Sequence, residues 1–298
     1  MRKDHRADQV GPWAEEKLAA LEDYLRYYCK VLKKKPFKLV YIDGFAGSPV
    51  TTVRQEKTSL LPDTLLEPSD LSAQAQFVLG SPLRALQIEK GFHRHYFFDL
   101  DDRRVKKLEE LQIQFPTKTM HISVGDANDR ILKLLDKVRP DPMARGVAFL
   151  DPYGPNLNWS TVEALAATKR FEVIINLPIH MAINRMLNRD GERKPEWESR
   201  VDKCFGTEEW RDFAYPESID MFGLTSKGKA SDVPKRLLRL YHGRLAQAFP
   251  HVTKPRLIRN TAGGPLYYLL WAGPNPAGKK GADYVFENRK LISRRRLL

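Results

Sequence analysis

Acidic residues follow short apolar runs at four places in the sequence. They are Asp43 in KLVYIDGFA (38–46), Asp99 in HYFFDL (95–100), Asp126 in HISVGDA (121–127) and Asp151 in GVAFLDPYG (146–154). A single aspartate at the end of a strand is commonly a turn former or a helix cap. Four at successive strand ends indicate carboxylates that accept hydrogen bonds from the amines and hydroxyls of a nucleoside. Together these positions predict a nucleoside-binding cleft.

Strands and helices alternate along the part of the chain that carries these acids. Apolar spacing predicts a helix over Trp13–Leu32, and the same pattern recurs at 80–90 (capped by Ser81), 101–114, 130–138 and 161–168. Strands are predicted at the four acidic sites and at 172–179, followed by an antiparallel pair at 256–260 and 266–272. This order predicts an α/β fold with a doubly wound, mostly parallel, seven-stranded sheet. Ligands of such sheets bind outside the carboxyl ends of the strands, where these acids lie.

The elements divide the chain into three parts. Residues 1–182 are predicted to form the α/β core, with an insertion at 48–79 that lacks a clear period and could close over a ligand. Residues 183–249 are predicted to form a helical subdomain. Residues 250–298 contain the last sheet strands and a basic C-terminal tail.

The excess of positive charge lies in the last quarter of the chain. The 298 residues include 50 Lys and Arg against 37 Asp and Glu, a net charge of +13, and residues from Lys227 onward carry 16 basic and 3 acidic side chains. This segregation favours a nucleic-acid partner, DNA or RNA, because neutralised phosphates release counterions. The alternative is a basic surface that only maintains solubility. The cations and aromatic residues that could contact nucleic acid are Arg256, Arg259, Lys279, Lys280, Arg289, Lys290, Arg294–Arg296, Tyr267, Tyr268 and Trp271.

Other classes of protein are excluded by composition and motifs. No apolar run approaches the ~18–20 residues that cross a bilayer, and the N-terminus lacks the apolar region of a signal peptide. Two cysteines cannot form a disulfide framework, and the histidines lack metal-ligand spacing. There is no P-loop and no G-x-S-x-G motif. We expect a cytoplasmic protein with neither a metal site nor a membrane partner.

Two of the strand-end motifs resemble those of known enzymes. YIDGFAG (41–47) contains the D-x-F-x-G of the first motif of class I S-adenosylmethionine-dependent methyltransferases, and FLDPYG (149–154) is similar to the D/N-P-P-Y/F motif of amino-group methyltransferases that act on nucleic acid. From VGPWAEEKL to IRNTAGGPLYYLL, the chain resembles the three-Cys-motif partner proteins, a bacterial group with a methyltransferase-like sheet. The resemblance implies a Rossmann-like class I methyltransferase fold and a neighbouring protein that carries the cysteine motif.

The resemblance also implies roles for the strand-end residues. Asp43, Phe45 and Gly47 belong to the cofactor motif, in which Asp43 would lie near the methionine amino group and Gly47 would let the backbone approach the cofactor. Asp99 would accept the ribose hydroxyls and Asp126 the adenine amine. Asp101, next to Asp99, is expected to cap the following helix.

Asp151, Pro152 and Tyr153 would hold the reacting base. A carboxylate and a backbone carbonyl accept the two amine hydrogens, which directs the nitrogen lone pair toward the methyl group, and an aromatic ring stacks on the extruded base. DPYG lacks the second proline of the usual motif. Ser48-Pro49 replaces the later glycine of the first motif, and Pro49 has no N–H to donate. Asn176-Leu177-Pro178 is either an N-x-P turn facing this cleft or a strand terminator.

Three functional hypotheses remain open from the sequence. The first is a methyltransferase that uses S-adenosylmethionine to modify DNA or RNA at an exocyclic amine. The second is a non-catalytic nucleic-acid-binding partner of the cysteine-motif protein. The third, a nicotinamide-dependent oxidoreductase, shares the sheet and the acid after the second strand but lacks the G-x-G-x-x-G motif.

Overall fold

The computed structural model describes residues 9–11, 13–53, 77–138, 140–187, 195–219 and 225–288. Its strands are β1 (Gln9–Val10), β2 (Lys38–Asp43), β3 (Val50–Val53), β4 (Phe77–Leu79), β5 (Arg94–Asp99), β6 (Met120–Val124), β7 (Ala144–Leu150), β8 (Phe171–Leu177), β9 (Glu217–Ile219), β10 (Thr225–Lys227), β11 (His251–Val252), β12 (Arg256–Arg259) and β13 (Pro265–Gly273). Its helices are α1 (Trp13–Leu32), α2 (Ser81–Leu86), α3 (Asp102–Glu109), α4 (Leu111–Gln114), α5 (Ala127–Val138), α6 (Trp159–Ala167), α7 (Asn184–Met186), α8 (Pro195–Phe205), α9 (Trp210–Ala214), α10 (Val233–Ala248) and α11 (Pro276–Asn288), with one π-helical turn at Ile179–Ile183.

A mixed, mostly parallel sheet forms the centre of the α/β fold. Five parallel strands lie in the order β6-β5-β2-β7-β8, and β13 pairs antiparallel with β8. In chain order the five parallel strands read 3-2-1-4-5, the order of a doubly wound fold, with the topological switch point between β2 and β7. The predicted fold class is therefore confirmed at this level.

Within the described residues the sheet has eight strands, where seven were predicted. Both β11 and β12 pair antiparallel with β13, β11 at Ala272–Gly273 and β12 at Pro265–Leu269. Residues 253–255 separate these two short strands, and Pro255, which has no N–H, interrupts the ladder there. One edge strand is thus divided into two.

Helices bury both faces of the sheet. Alternate residues of β2 enter different apolar clusters: Leu39 and Tyr41 pack with α1, α2 and α11, whereas Val40 and Ile42 pack with α5, α6 and α10. The second cluster also takes in buried residues of α8 and α9, so the helices within 183–249 share their core with the sheet. Burial on both faces explains why the parallel strands are continuous apolar runs.

The start of α2 differs from the prediction. The cap residue is Gly80 rather than Ser81, and Ser81 is the first helical residue. A side chain at Gly80 would overlap Ser48 O, so only glycine fits where the chain passes this close. The described ends of the 48–79 insertion form the antiparallel pair β3–β4, to which β1 adds in parallel. Residues 54–76, and with them any lid, lie outside the described residues.

Candidate functional site

A row of polar side chains crosses four neighbouring strands at the carboxyl edge of the sheet. Asp43 ends β2, Asp151 follows β7, Asn176 lies near the end of β8, and Tyr267 lies near the start of antiparallel β13. All four are on the α1 side, because the residues two positions away on each strand belong to the apolar cluster that α1 fills. We call these four residues the polar row. It spans the switch point, where a ligand is expected.

Lys17 reaches the polar row from α1 and forms an ion pair with Asp151 Oδ2. The Lys17 side chain is 11% exposed and that of Asp151 is 21% exposed, so the pair is largely shielded from water. Lys17 Nζ also lies 5.4 Å from the centroid of the Tyr267 ring, a cation–π contact. Lys17 was not among the site residues predicted from the sequence. The sequence did contain one indication of its role: Lys17 is four residues from both Trp13 and Leu21 and so interrupts the apolar stripe of the helix.

Asn176 holds the other oxygen of the same carboxylate. Its Nδ2 donates to Asp151 Oδ1 at 2.5 Å. Asn176 is buried, and its Oδ1 and the Tyr267 hydroxyl have no hydrogen-bond partner among the described residues. The sequence left open whether Asn176 faces the cleft or only terminates a strand. In the structure its amide lies in the polar row and binds Asp151, and unsatisfied buried polar atoms of this kind call for a functional explanation.

Asp43 is fully buried next to this cluster. Tyr41 Oη donates to Asp43 Oδ2 at 3.1 Å. Burial, with the Asp151 charge adding to it, raises the pKa of Asp43 to about 7, despite hydrogen bonds that favour the carboxylate. The polar row therefore contains one acid that is half protonated near neutral pH and a second, Asp151, that has a cationic partner.

Hydrogen bonds from backbone N–H groups hold the loop after β2 against the neighbouring strands. Gly44 N donates to Phe149 O at 3.0 Å, Ala46 N to Phe98 O at 2.9 Å, and Gly47 N to Asp99 Oδ2 at 2.9 Å. Gly47 has φ +67°, a conformation that favours glycine, and a Cβ there would approach only Phe45 O at 4.0 Å. Glycine is thus required by the backbone, and the space beside it is open. Phe45 itself is partly buried against the α5–α6 side of the core.

Asp99 connects two loops at the end of β5. Besides Gly47 N, its carboxylate accepts Asp101 N at 2.8 Å, and Arg104 lies 3.6 Å from Oδ2. Asp99 is nearly buried, while the next residue, Leu100, is 75% exposed. Asp101 caps α3 as predicted, since its Oδ1 accepts Arg103 N at 2.9 Å. The hydrogen bond from the Arg103 side chain lowers the pKa of Asp101 to about 2.

Asp126 lies at the start of α5 and is exposed. Its Oδ1 accepts Asn128 N at 2.9 Å, the contact of a helix cap. The other carboxylate oxygen, Oδ2, is the one that the predicted adenine contact would use. That contact stays a prediction.

The loop that contains the DPYG motif is held from α5. The Asn128 side chain donates to Asn156 O and accepts from Asn158 N and Thr161 Oγ1, each at 2.9 Å. Pro152 is buried, whereas Tyr153 is 68% exposed, with the Arg104 guanidinium 5.9 Å from its ring centroid. The motif therefore buries its proline and presents its aromatic ring at the carboxyl edge of the sheet.

Comparison with known proteins gives the following result. No family model and no curated protein matches the sequence. Similar solved structures include protein LPL1258 of Legionella pneumophila, from family DUF519 (14% identity, 93% of this chain and 91% of that chain, TM-score 0.47), and Trm1 of Pyrococcus horikoshii with S-adenosyl-L-methionine (10%, 89% and 58%, TM-score 0.33). A third is spermidine synthase with the transition state analogue AdoDATO (9%, 95% and 68%, TM-score 0.38). These scores are low, and function is therefore inferred from the site itself.

The basic and aromatic residues of the C-terminal region separate into two groups. Arg256 is in the interior, where it pairs with Glu16 and donates to Phe286 O at 2.6 Å, and Trp271 is fully buried. Arg256 is therefore a structural residue and not the phosphate contact that the sequence suggested. Arg259 is exposed. The basic residues beyond Asn288 lie outside the described part of the chain.

Neither a metal cluster nor a membrane span is found in the described part of the chain. There, no three His, Cys, Asp or Glu side chains are grouped closely enough to hold a metal ion. Within the same residues, no helix has the length and apolarity to cross a bilayer.

Proposed function

We propose that this protein is an S-adenosylmethionine-dependent methyltransferase that modifies an exocyclic amine of a nucleic-acid base. The observation that carries the proposal is the position of Asp151. It follows β7 at the switch point, in one polar row with Asp43 and on the same edge as Asp99 and Gly47. The five parallel strands with an antiparallel β13 beyond β8 fit a class I methyltransferase fold, and a methyl donor and an amine acceptor would meet at this edge.

The cofactor side of the site would be formed by the ends of β2 and β5. The open space beside Gly47 lets a ligand approach the backbone, and Asp99 keeps lone pairs that could accept ribose hydroxyls. Leu100, exposed next to Asp99, offers an apolar surface for a flat ring. The bound cofactor would supply an electrophilic methyl group. These residues would bind and orient it.

The acceptor side would be formed by Asp151 and Tyr153. Lys17 and Asn176 fix the Asp151 carboxylate from two directions, and each carboxylate oxygen keeps a lone pair for an amine hydrogen. When the Asp151 carboxylate accepts an amine hydrogen, the lone pair of the amine nitrogen is directed away from the ring. The exposed Tyr153 ring could stack on a base that has left its helix.

Calorimetry and methyl transfer test the proposal separately. Wild-type protein should bind S-adenosylmethionine and not NAD, and Asp99→Ala should weaken that binding. With labelled cofactor and pools of DNA and RNA, Asp151→Asn should lose methyl transfer while keeping cofactor affinity. A wild-type protein that does not bind the cofactor, or an Asp151→Asn variant with full activity, would refute the proposal.

A second candidate function follows from the Lys17–Asp151 pair. Because Lys17 already occupies Asp151 Oδ2, the site is also compatible with a protein that has kept the fold and lost turnover. It would then serve as a non-catalytic nucleic-acid-binding partner of a three-cysteine-motif, radical-SAM-like protein, in the cytoplasm in either case. Nucleic-acid binding without methyl transfer, by wild type and Lys17→Ala alike, would favour this function.

A further inference from the structure

A hairpin beside the polar row projects from the carboxyl edge of the sheet. Because β13 runs antiparallel to β8, with Tyr268 opposite Leu177, its first residues lie at the edge where the parallel strands end. Arg259 at the end of β12 pairs with Pro265 at the start of β13. The turn at 260–264 therefore lies on the same edge as Asp151, three strand positions away, which is roughly 14 Å.

The hairpin turn is closed by its own hydrogen bonds. Asn260 N donates to Gly264 O at 2.9 Å, and Gly264 N donates to Asn260 Oδ1 at 2.7 Å. Gly263, at φ +82°, adopts a conformation that favours glycine. Arg259 Nη1 donates to Gly263 O at 2.8 Å, which uses one of the five N–H donors of the guanidinium. The exposed cation is thus held on a well-bonded turn.

Two aromatic rings lie beside this hairpin, one on β13 and one in the π-helical turn after β8. The His180 and Tyr268 ring centroids are 5.6 Å apart, and His180 Nε2 is 3.4 Å from the Tyr268 hydroxyl. Both rings are half-buried. Burial lowers the pKa of His180, and the charge of Arg259 lowers it further. The imidazole, the phenol and the guanidinium are thus grouped at the carboxyl edge of the sheet.

We propose that Arg259, His180 and Tyr268 bind the single strand that flanks the target nucleotide, Arg259 through a phosphate and the rings by stacking on a base. The proposal rests on the nucleic-acid substrate proposed above. An unpaired base has a free face for an aromatic ring, whereas a base inside a duplex does not. Tyr268 follows Tyr267 on β13 and so points to the other face of the sheet from the polar row. A strand of a few nucleotides that passes over the carboxyl edge covers the distance from Asp151 to this surface. The interaction would direct the target nucleotide toward the polar row.

Salt-dependent binding tests the charge contribution. Affinities for single-stranded DNA and RNA oligonucleotides are measured against salt concentration for wild type, Arg259→Gln and Lys34→Gln. Lys34 is exposed in the loop before β2, at the opposite edge of the sheet, so its variant removes the same charge far from the surface. Arg259→Gln should weaken binding and reduce the slope of log K against log salt by about 0.7. Lys34→Gln should match wild type.

Tyr268→Leu tests the stacking contribution while keeping an apolar side chain. It should weaken binding of the single strand about 5- to 100-fold and leave the weaker binding of a duplex unchanged. The DNA and RNA oligonucleotides distinguish which nucleic acid the surface prefers. Cofactor affinity, measured on the same samples, should be unaffected, which also shows that the variant is folded.

The outcomes separate this inference from the proposed function. If wild type binds oligonucleotides and Arg259→Gln and Tyr268→Leu bind equally well, the surface is refuted and the methyltransferase proposal stands. If wild type binds no oligonucleotide but does bind S-adenosylmethionine, the surface and the nucleic-acid substrate are both refuted. Equal losses in Arg259→Gln and Lys34→Gln would indicate non-specific attraction and also refute the surface.

Discussion

Asp43→Asn should change how the stability of this protein depends on pH. Asp43 is fully buried, and burial raises its pKa from the usual 3.8 to about 7. Between these two values the unfolded chain releases the proton while the folded protein retains it, so stability falls as pH rises. The full loss is roughly 4 kcal/mol, complete above pH 7, since one pKa unit corresponds to about 1.4 kcal/mol. Asparagine can accept the Tyr41 hydroxyl and does not titrate.

The assay is urea unfolding at a series of pH values. From pH 5 to pH 8, the free energy of unfolding of Asp43→Asn relative to wild type should rise by about 2.5 kcal/mol. Asp129→Asn, the same substitution at an exposed carboxyl on α5, should show no such rise. A constant difference for Asp43→Asn across this range would refute the reasoning from burial.

The same ionisation should control any cation that Asp43 binds. If Asp43 contacts the methionine amino group, only its carboxylate form contributes to binding. With a pKa of about 7, the ionised fraction rises about tenfold between pH 6 and pH 8, and cofactor affinity should rise with it. Asp43→Asn should remove this dependence. An identical pH profile in both proteins would show that the amino group binds elsewhere.

Three further predictions concern contacts that hold the site and the core. Lys17→Met should lower the free energy of urea unfolding by about 2–3 kcal/mol, because Asp151 then keeps a shielded charge without its partner. Adding Asp151→Asn should restore much of this loss. If the losses of the two variants simply added, the pairing would be contradicted. Glu172→Gln should stabilise the protein by about 3 kcal/mol more at pH 8 than at pH 4, because burial raises the pKa of Glu172 to about 7. Tyr24 can donate its hydrogen bond to glutamine as well as to glutamate. Parallel curves of unfolding free energy against pH for the variant and the wild type would contradict this prediction. Asn128→Ala removes three hydrogen bonds and should lower the free energy of unfolding by about 2–4 kcal/mol. It should also slow methyl transfer without weakening cofactor binding. An unchanged rate would show that the DPYG loop keeps its position without Asn128.

The elements that sequence alone predicted well are those with a strong local pattern. The helix predicted over Trp13–Leu32 has these bounds in the structure, because its apolar stripe is continuous and acids occupy its first turn. The apolar runs locate the strands that end in Asp43 and Asp99 and the strand that Asp151 follows. Their acids could therefore be assigned to one edge of the sheet.

The contacts inside the site could not be predicted from local patterns. Lys17 and Asp151 are 134 positions apart, and Asn176 is 25 positions beyond Asp151, so their pairing depends on the assembled sheet and on how α1 packs against it. The Ser81 cap was wrong for a related reason. Glycine is needed at position 80 because residues 48–49 pass close to it, and no pattern in the sequence around α2 indicates this contact.

The backbone of the loop after β2 supports the proposed cofactor over a dinucleotide. A dinucleotide needs free backbone N–H groups for its pyrophosphate. Here the N–H groups of Gly44, Ala46 and Gly47 already donate to Phe149 O, Phe98 O and Asp99 Oδ2. The chain then leaves toward α2, where Pro49 O accepts Gly80 N at 2.7 Å. With these donors in use, the loop suits the proposed S-adenosylmethionine, which has no phosphate groups, better than NAD, whose pyrophosphate would need them.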